Sequence, residues 1–282
     1  LKDGALRSSQ AAFSQVTELG LEETLLRWDE LCRIATNFSA LSSLYAGSNQ
    51  LTILPSINYL SLATTVTTLD LEYNEFKAIS DLGSLTALTA LRSLLLKGNY
   101  IKQLAAADTE APTFPPSLHY LDVSYNAIES WSFVDKLPTH FPGLTNLRIS
   151  HNPVYETQDP DSKTSSTEEA HMFTIARLAA LKTLNFSHIT ATDRSNAEMF
   201  YLSRIAKQLA AVPETAEDTV LVQHPRYAEL CEIYGEPDII RREEINPSYL
   251  EARLVTVSFH TLDEEKRTKR IPQSFDMYAV KG

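Results

Sequence analysis

Apolar and polar positions recur along this chain in one short register. The segment VTTLDLEYNEF, residues 66–76, shows it: Val66, Leu69, Leu71 and Phe76 are apolar, Asp70, Glu72 and Tyr73 lie between or beside them, and Asn74 follows. The form apolar-x-x-apolar-x-apolar-x-x-Asn-x-apolar starts at residues 16, 41, 66, 91, 118, 144 and 181. The first four starts are 25 residues apart, and the later steps are 27, 26 and 37. Asn49, Asn74, Asn99, Asn126 and Asn152 hold the turn position, with Thr24 and Ile189 in the terminal copies, where departures from a repeat are expected.

This period and pattern are those of leucine-rich repeats. Each copy predicts a short strand, stacked on its neighbours in a parallel sheet at about 4.8 Å. Leu69 and Leu71 are two apart and point to the same side, into the stack. Asn74 sits where the chain leaves the strand, and its amide can bond backbone groups the turn leaves unpaired. The predicted fold class is thus α/β, a leucine-rich repeat solenoid with a curved parallel sheet and outer helices or turns. Helix axes need about 8–10 Å where strands need about half of that, so the strands line the concave wall. Such walls are the usual partner-binding surfaces of solenoids.

The outer side and the end of the stack are less regular. WDELCRIATNF (28–38) places Trp28, Leu31, Cys32, Ala35 and Phe38 at helical spacing, and WSFVDKLPTHF (131–141) predicts a shorter turn cut by Pro138. Two inserts, 105–116 and 155–170, read as exposed loops from their Pro-rich and Ser/Thr/acidic content. After the last repeat, Ser195-x-x-Glu198 fits a capping box, and Ala197, Tyr201, Ile205 and Leu209 form one apolar stripe. A helix closing the C-terminal end is predicted. His224, in QHPRY, is expected to order its segment through a hydrogen bond. The organisation expected is a repeat domain with its cap over 1–212, a linker with the HPRY segment over 213–250, and a further element over 251–282.

Three stretches carry a resemblance: LSSLYAGSNQLT (41–52), NAEMFYLSRIA (196–206) and HPRYAELCEIYGEPD (224–238). They resemble the tubulin-folding cofactor E family, whose members combine a CAP-Gly domain, leucine-rich repeats and a ubiquitin-like domain. RLVTVSFHT (253–261) alternates like a strand, LDEEKR (262–267) is turn-like, KRIPQSF (269–275) suits a second strand and DMYAVKG (276–282) a helix start. That order is how a ubiquitin-like β-grasp opens. The Gly-rich CAP-Gly domain is not in this sequence, so a piece of a longer protein is expected. The resemblance implies a tubulin-folding cofactor, binding of α-tubulin, cooperation with tubulin cofactor B and other tubulin cofactors, a part in assembly or dissociation of the αβ-tubulin dimer, and a cytoplasmic, cytoskeleton-associated place.

Composition narrows the alternatives. The net charge of −11 disfavours nucleic acid and anionic membrane as partners. No apolar run is long enough to span a bilayer. Cys32 and Cys231 are far apart and give neither a disulfide framework nor a metal spacing. No catalytic signature occurs, so no enzyme and no cofactor are expected. His151 and His188 fall at one position of adjacent repeats, but no third ligand accompanies them and no metal site is expected. The candidate partner-binding residues are those that alternate away from the core or follow at the turn: Tyr45, Asp70, Glu72, Tyr73, Leu95, Lys97, Asp122, Tyr125, Arg148 and His151. An alternative reading is a leucine-rich repeat scaffold of another intracellular complex, a ribonucleoprotein or a phosphatase regulator.

Overall fold

A computed structural model describes residues 13–56, 61–156 and 166–241, together with the backbone of two strands at 254–260 and 266–272. Each of the first six repeats contributes one strand and the seventh contributes two, and the eight strands pair in chain order: β1 Glu18–Gly20, β2 Ser43–Tyr45, β3 Thr68–Asp70, β4 Ser93–Leu95, β5 Tyr120–Asp122, β6 Asn146–Arg148, β7 Thr183–Leu184 and β8 Ser187–His188. β1 to β7 are parallel; β8 turns back antiparallel on β7. The register places Leu19, Leu44, Leu69, Leu94, Leu121, Leu147 and Leu184 side by side. A second inward row, Ala46, Leu71, Leu96, Val123 and Ile149, is buried beside it.

Each asparagine ties its own turn to the preceding one. Asn74 Oδ1 accepts from the backbone N–H of Asn49 and of Leu51, both at 3.0 Å, while its Nδ2 donates to the carbonyls of Ala46 and Leu71, both at 3.1 Å. The same pattern joins Asn99 to Phe76, Leu71 and Leu96, and Asn152 to Ile128, Val123 and Ile149. Thr24, without an amide, is itself held by Asn49 Oδ1. The ladder satisfies backbone groups that a buried turn leaves without partners.

The return segments cover the other side of the core. Helix α1 (Trp28–Ala35) buries Trp28, Leu31, Cys32 and Ala35 against the strands' leucines. Burial pushes the Cys32 thiol up, which keeps it unreactive. A 3-10 segment, Ile79–Ala87, buries Ile79, Leu82 and Leu85. Helix α2 (Trp131–His140) is longer than predicted and runs through Pro138. The Ser130 hydroxyl caps its start, and Pro138 falls in the last turn, where Phe141 N still bonds the Leu137 carbonyl at 2.7 Å. The 105–116 insert is a loop, but Phe114 is buried and stacks on Phe141 at 4.7 Å.

The second insert also differs from expectation. Tyr155 is buried and bonds Thr174 Oγ1 at 2.8 Å, and the insert's end belongs to helix α3 (Ser166–Arg177), where Glu169 and Ala170 are buried. Residues 157–165 lie outside the described residues. Helix α4 (Ala191–Ala210) carries the predicted stripe, with Ala197, Tyr201, Ile205 and Leu209 all buried. Its cap lies earlier than Ser195 and Glu198: Thr190 Oγ1 accepts from Asp193 N at 3.1 Å, and Asp193 Oδ2 accepts from Thr190 N at 3.0 Å. Ser195 and Glu198 are interior to the helix. Thr190 captures the free N–H groups five residues sooner because β8 ends just before it, at His188.

Helices α5 (Glu217–Leu221) and α6 (Tyr227–Tyr234) pack on α4 around Ala176, Tyr201, Leu202 and Leu230. His224 sits between them, its Nδ1 2.7 Å from the Tyr201 hydroxyl and its Nε2 2.7 Å from Gln208 Oε1. Burial and the Arg177 charge lower its pKa to about 4. Arg226 donates to Glu198 at 2.9 Å and to the Ala176 carbonyl, and Tyr234 donates to Glu198 at 2.8 Å. Strands β9 (Leu254–His260) and β10 (Lys266–Pro272) form an antiparallel pair, with β10 starting three residues before the predicted 269. The predicted turn at 262–267 thus ends inside β10, and most of it, like the helix start at 276–282, lies outside the described residues.

Candidate partner-binding face

The strand residues that alternate away from the core form rows. Tyr45, Asp70, Leu95, Asp122 and Arg148 lie in register across β2 to β6. The next row is Glu22, Gly47, Glu72, Lys97, Ser124 and Ser150, aligned by the bonds that the carbonyls from Gly47 onward accept from the rung before. A third row holds the turn residues Glu23, Ser48, Tyr73, Gly98, Tyr125 and His151, all with positive φ, between 54° and 69°. A left-handed residue other than glycine costs about 1–2 kcal/mol. The repeated turn and its asparagine hold five such residues in place.

The third row makes an exposed aromatic strip. Tyr73 is 53% exposed and Tyr125 48%. The Tyr125 ring stacks on His151 at 4.1 Å and 16°. Lys97 Nζ lies 5.3 Å from the Tyr73 ring and 5.4 Å from that of Tyr125, bridging the two. The Tyr73 side chain holds the Lys97 ammonium above its ordinary value. Gly98 is what allows this: a Cβ there would stand 2.4 Å from Tyr73 Cδ1.

Asp122 corrects the expectation of an open acidic residue. It is 0% exposed and accepts from Ser124 N at 2.9 Å, Ser124 Oγ at 2.6 Å and Arg148 Nη1 at 2.6 Å. The Phe186 ring covers the guanidinium at 3.9 Å. Two opposite charges one rung apart neutralise each other, so they form a closed pair. Phe186 was hidden in the sequence, since it occupies a consensus core position. The chain reverses at Asn185 and Phe186, both at positive φ, and Phe186 ends 73% exposed. The same reversal puts His188 on β8 opposite Thr183, out of line with His151. Among the described residues no group of His, Cys, Asp or Glu is placed to hold a metal.

Asp70 and Glu72 remain half-buried and carry no ion pair among the described residues. Asp70 Oδ1 accepts from Glu72 N at 2.8 Å. Burial pushes the Asp70 carboxyl above its ordinary value, and the Glu22 and Asp122 carboxylates add to this. Glu72 rises likewise, from burial and then from Asp70 and Asp122. A raised folded pKa means that the proton favours the folded state. That contribution is present below the ordinary carboxylate range and is lost as pH rises through the raised value. Asp70→Asn keeps the acceptor for Glu72 N and removes the charge. It is expected to raise the melting temperature at neutral pH and to leave it unchanged near about pH 3; a lower melting temperature at neutral pH would contradict this electrostatic account.

No protein-family model matches the chain. Curated sequences do. Human tubulin-specific chaperone E is 30% identical over 277 residues, which is 94% of this chain and 51% of that protein. The Danio rerio protein of the same name is 27% identical over 288 residues, covering 98% and 53%. A human tubulin-specific chaperone cofactor E-like protein is 26% identical over 261 residues, covering 92% and 56%. This chain therefore spans about half the length of the curated relatives it matches. Among solved structures, the Drosophila melanogaster SNF/U2A' complex aligns at a TM-score of 0.41 and 22% identity over 60% of this chain and 82% of that one. A Listeria monocytogenes internalin aligns at 0.35 and 17%, over 66% and 53%. The sequence relationship runs through repeats, terminal helices and HPRY segment alike, and it is to the tubulin-specific chaperone E family.

Proposed function

We propose that this chain is the repeat module of a tubulin-folding cofactor and that it binds α-tubulin through the strand face, taken as the concave wall. One observation carries the reading. A chain related along nearly all its length to tubulin-specific chaperone E presents a row of exposed aromatic side chains beside unpaired charges on that face. Exposed tyrosines on a rigid sheet offer large contact area at small entropic cost. The action is mechanical and non-enzymatic: binding energy gained on α-tubulin competes with the α–β contact during dimer assembly or dissociation, in the cytoplasm and together with cofactor B and other cofactors. Residues 1–212 serve as the repeat domain with α4 as its cap, 213–250 as the segment that locks the cap, and β9–β10 as the opening of a ubiquitin-like element.

The test is a paired truncation. Tyr73→Ala/Tyr125→Ala removes both rings and no core contact. Its affinity for αβ-tubulin, measured by calorimetry, is expected to fall at least about tenfold, the range of two interface anchors. Circular dichroism and melting temperature should match the parent chain. Unchanged affinity in the folded variant would move the binding surface off this face.

A further inference from the structure

The candidate face divides by charge. Its first three rungs carry Glu18, Glu22, Glu23, Asp70 and Glu72, none in an ion pair among the described residues. The cations that share the face are already engaged: Arg148 is closed on Asp122, and Lys97 stands over two tyrosine rings. The acidic half therefore has no ion pair of its own; Lys97 offsets Asp70 and Glu72, and Arg148 offsets Glu72, only through space, and burial still leaves both carboxyls above their ordinary values. It also has a floor of two glycines. Gly20 and Gly47 put no side chain into their rows, and a Cβ at Gly47 would lie 3.0 Å from the Glu72 carbonyl, 3.8 Å from Asp70 Oδ1 and 3.8 Å from Glu22 Cγ. The three acidic residues close over the buried Gly47, and Tyr73, next to Glu72, starts the Tyr73–Tyr125–His151 strip.

We propose that this face docks a partner segment that lays flat side chains along Tyr73, Tyr125 and His151 and sets a lysine or arginine between Asp70 and Glu72 above Gly47. The choice of a basic rather than an acidic segment follows from charge complementarity. An incoming carboxylate would meet unpaired acids on the first three rungs, whereas a cation supplies the direct ion pair that they lack. The inference rests on the partner-binding reading above and adds the charge of the contact and the rungs that make it.

The experiment uses the full chain and αβ-tubulin as the probe. Asp70→Asn/Glu72→Gln removes both charges and keeps the Glu72 N–H acceptor. The expected result is an affinity at least about tenfold weaker, with most of its salt dependence gone. A control pair off the face, Glu110→Gln/Glu232→Gln, makes the same change in net charge and should leave affinity within about twofold. Equal loss in control and test pairs would reduce the effect to the general field of an acidic protein and overturn the proposal. Full affinity in Asp70→Asn/Glu72→Gln, with loss in Tyr73→Ala/Tyr125→Ala, would overturn the basic contact and leave the binding face standing. Full affinity in both would overturn both. Should the double variant not fold, Glu72→Gln alone is read in the same way, because the Glu72 carboxylate accepts no hydrogen bond among the described residues.

Discussion

Asn74→Ala is expected to cost about 2–4 kcal/mol of stability, far more than its surface neighbours. The side chain is 2% exposed and makes four bonds of 3.0–3.1 Å to main-chain groups of two consecutive turns. Alanine leaves the N–H groups of Asn49 and Leu51 and the carbonyls of Ala46 and Leu71 without those partners. Each buried unpaired group costs about 1–3 kcal/mol, partly recovered where water enters the turn. Tyr73 precedes it at φ 54° and loses the anchor that offsets its backbone strain. Denaturant unfolding measures the loss; a cost below about 1 kcal/mol would mean that packing alone sets the turns. Asn74→Asp separates the two halves of the amide. It keeps an acceptor, but its carboxylate faces the Ala46 and Leu71 carbonyls and must be protonated to donate. Its folded pKa is then raised, so Asn74→Asp should recover stability on acidification and lose it as pH rises.

The second large effect is expected at Arg177→Met. Arg177 is the point where the stack, α3, α4 and the HPRY segment meet. Its Nη1 lies 2.6 and 2.7 Å from the two Asp135 oxygens on α2 and 3.2 Å from the Gln223 carbonyl, and its guanidinium stands 5.2 Å from the Trp131 ring and 5.0 Å from that of Tyr201. Methionine fills comparable volume and strands Asp135, whose carboxyl burial already pushes up despite the arginine. Breaking a buried pair from one side costs about 3–5 kcal/mol. Native-state hydrogen exchange should show α6 losing protection first, because its only fully buried contact is Leu230 and its polar ties run through Arg226 and Tyr234 to Glu198 on α4. The stranded Asp135 takes up a proton more readily, so the deficit relative to the parent should shrink as pH falls. Full protection of α6 in Arg177→Met would show that the terminal helices are held by apolar packing alone.

His224 adds a pH dependence to the same junction. Its folded pKa, about 4, is below its ordinary value of 6.5. The unfolded chain therefore binds the proton first, and stability falls as pH drops through this interval. The neutral ring is what lets His224 bond both the Tyr201 hydroxyl and Gln208 Oε1.

Local pattern reached some of these features and not others. The inward leucines and the asparagine ladder are visible because one short repeat fixes both: period two assigns faces along a strand, and period 25 aligns equivalent positions. Tyr73, Tyr125 and His151 could be placed in one row for that reason, and the alternation aimed Asp70 and Glu72 outward. Asp122 and Arg148 had the right row and the wrong state, since their pairing spans 26 residues and depends on how far an arginine arm folds back. Phe186 had a core position and took a surface one, because the last rung has no successor to pair with and reverses into β8. The α4 cap lies five residues before the one its spacing suggests, since Ser195–Glu198 and Thr190–Asp193 both satisfy the same rule and only the end of β8 chooses between them.

By itself, then, the sequence determined the rung: which residues face the core, which face outward, and which amide closes each turn. These follow from backbone geometry that every copy shares. Tertiary structure decided which outward charges stay available and how the stack ends. Asp122 is cancelled while Asp70 and Glu72 are not, and Arg177, His224 and Arg226 lock the final helices through partners 16 to 50 residues away. Charge pairing and burial depend on distance in space, and a linear pattern carries that distance only where the repeat is regular.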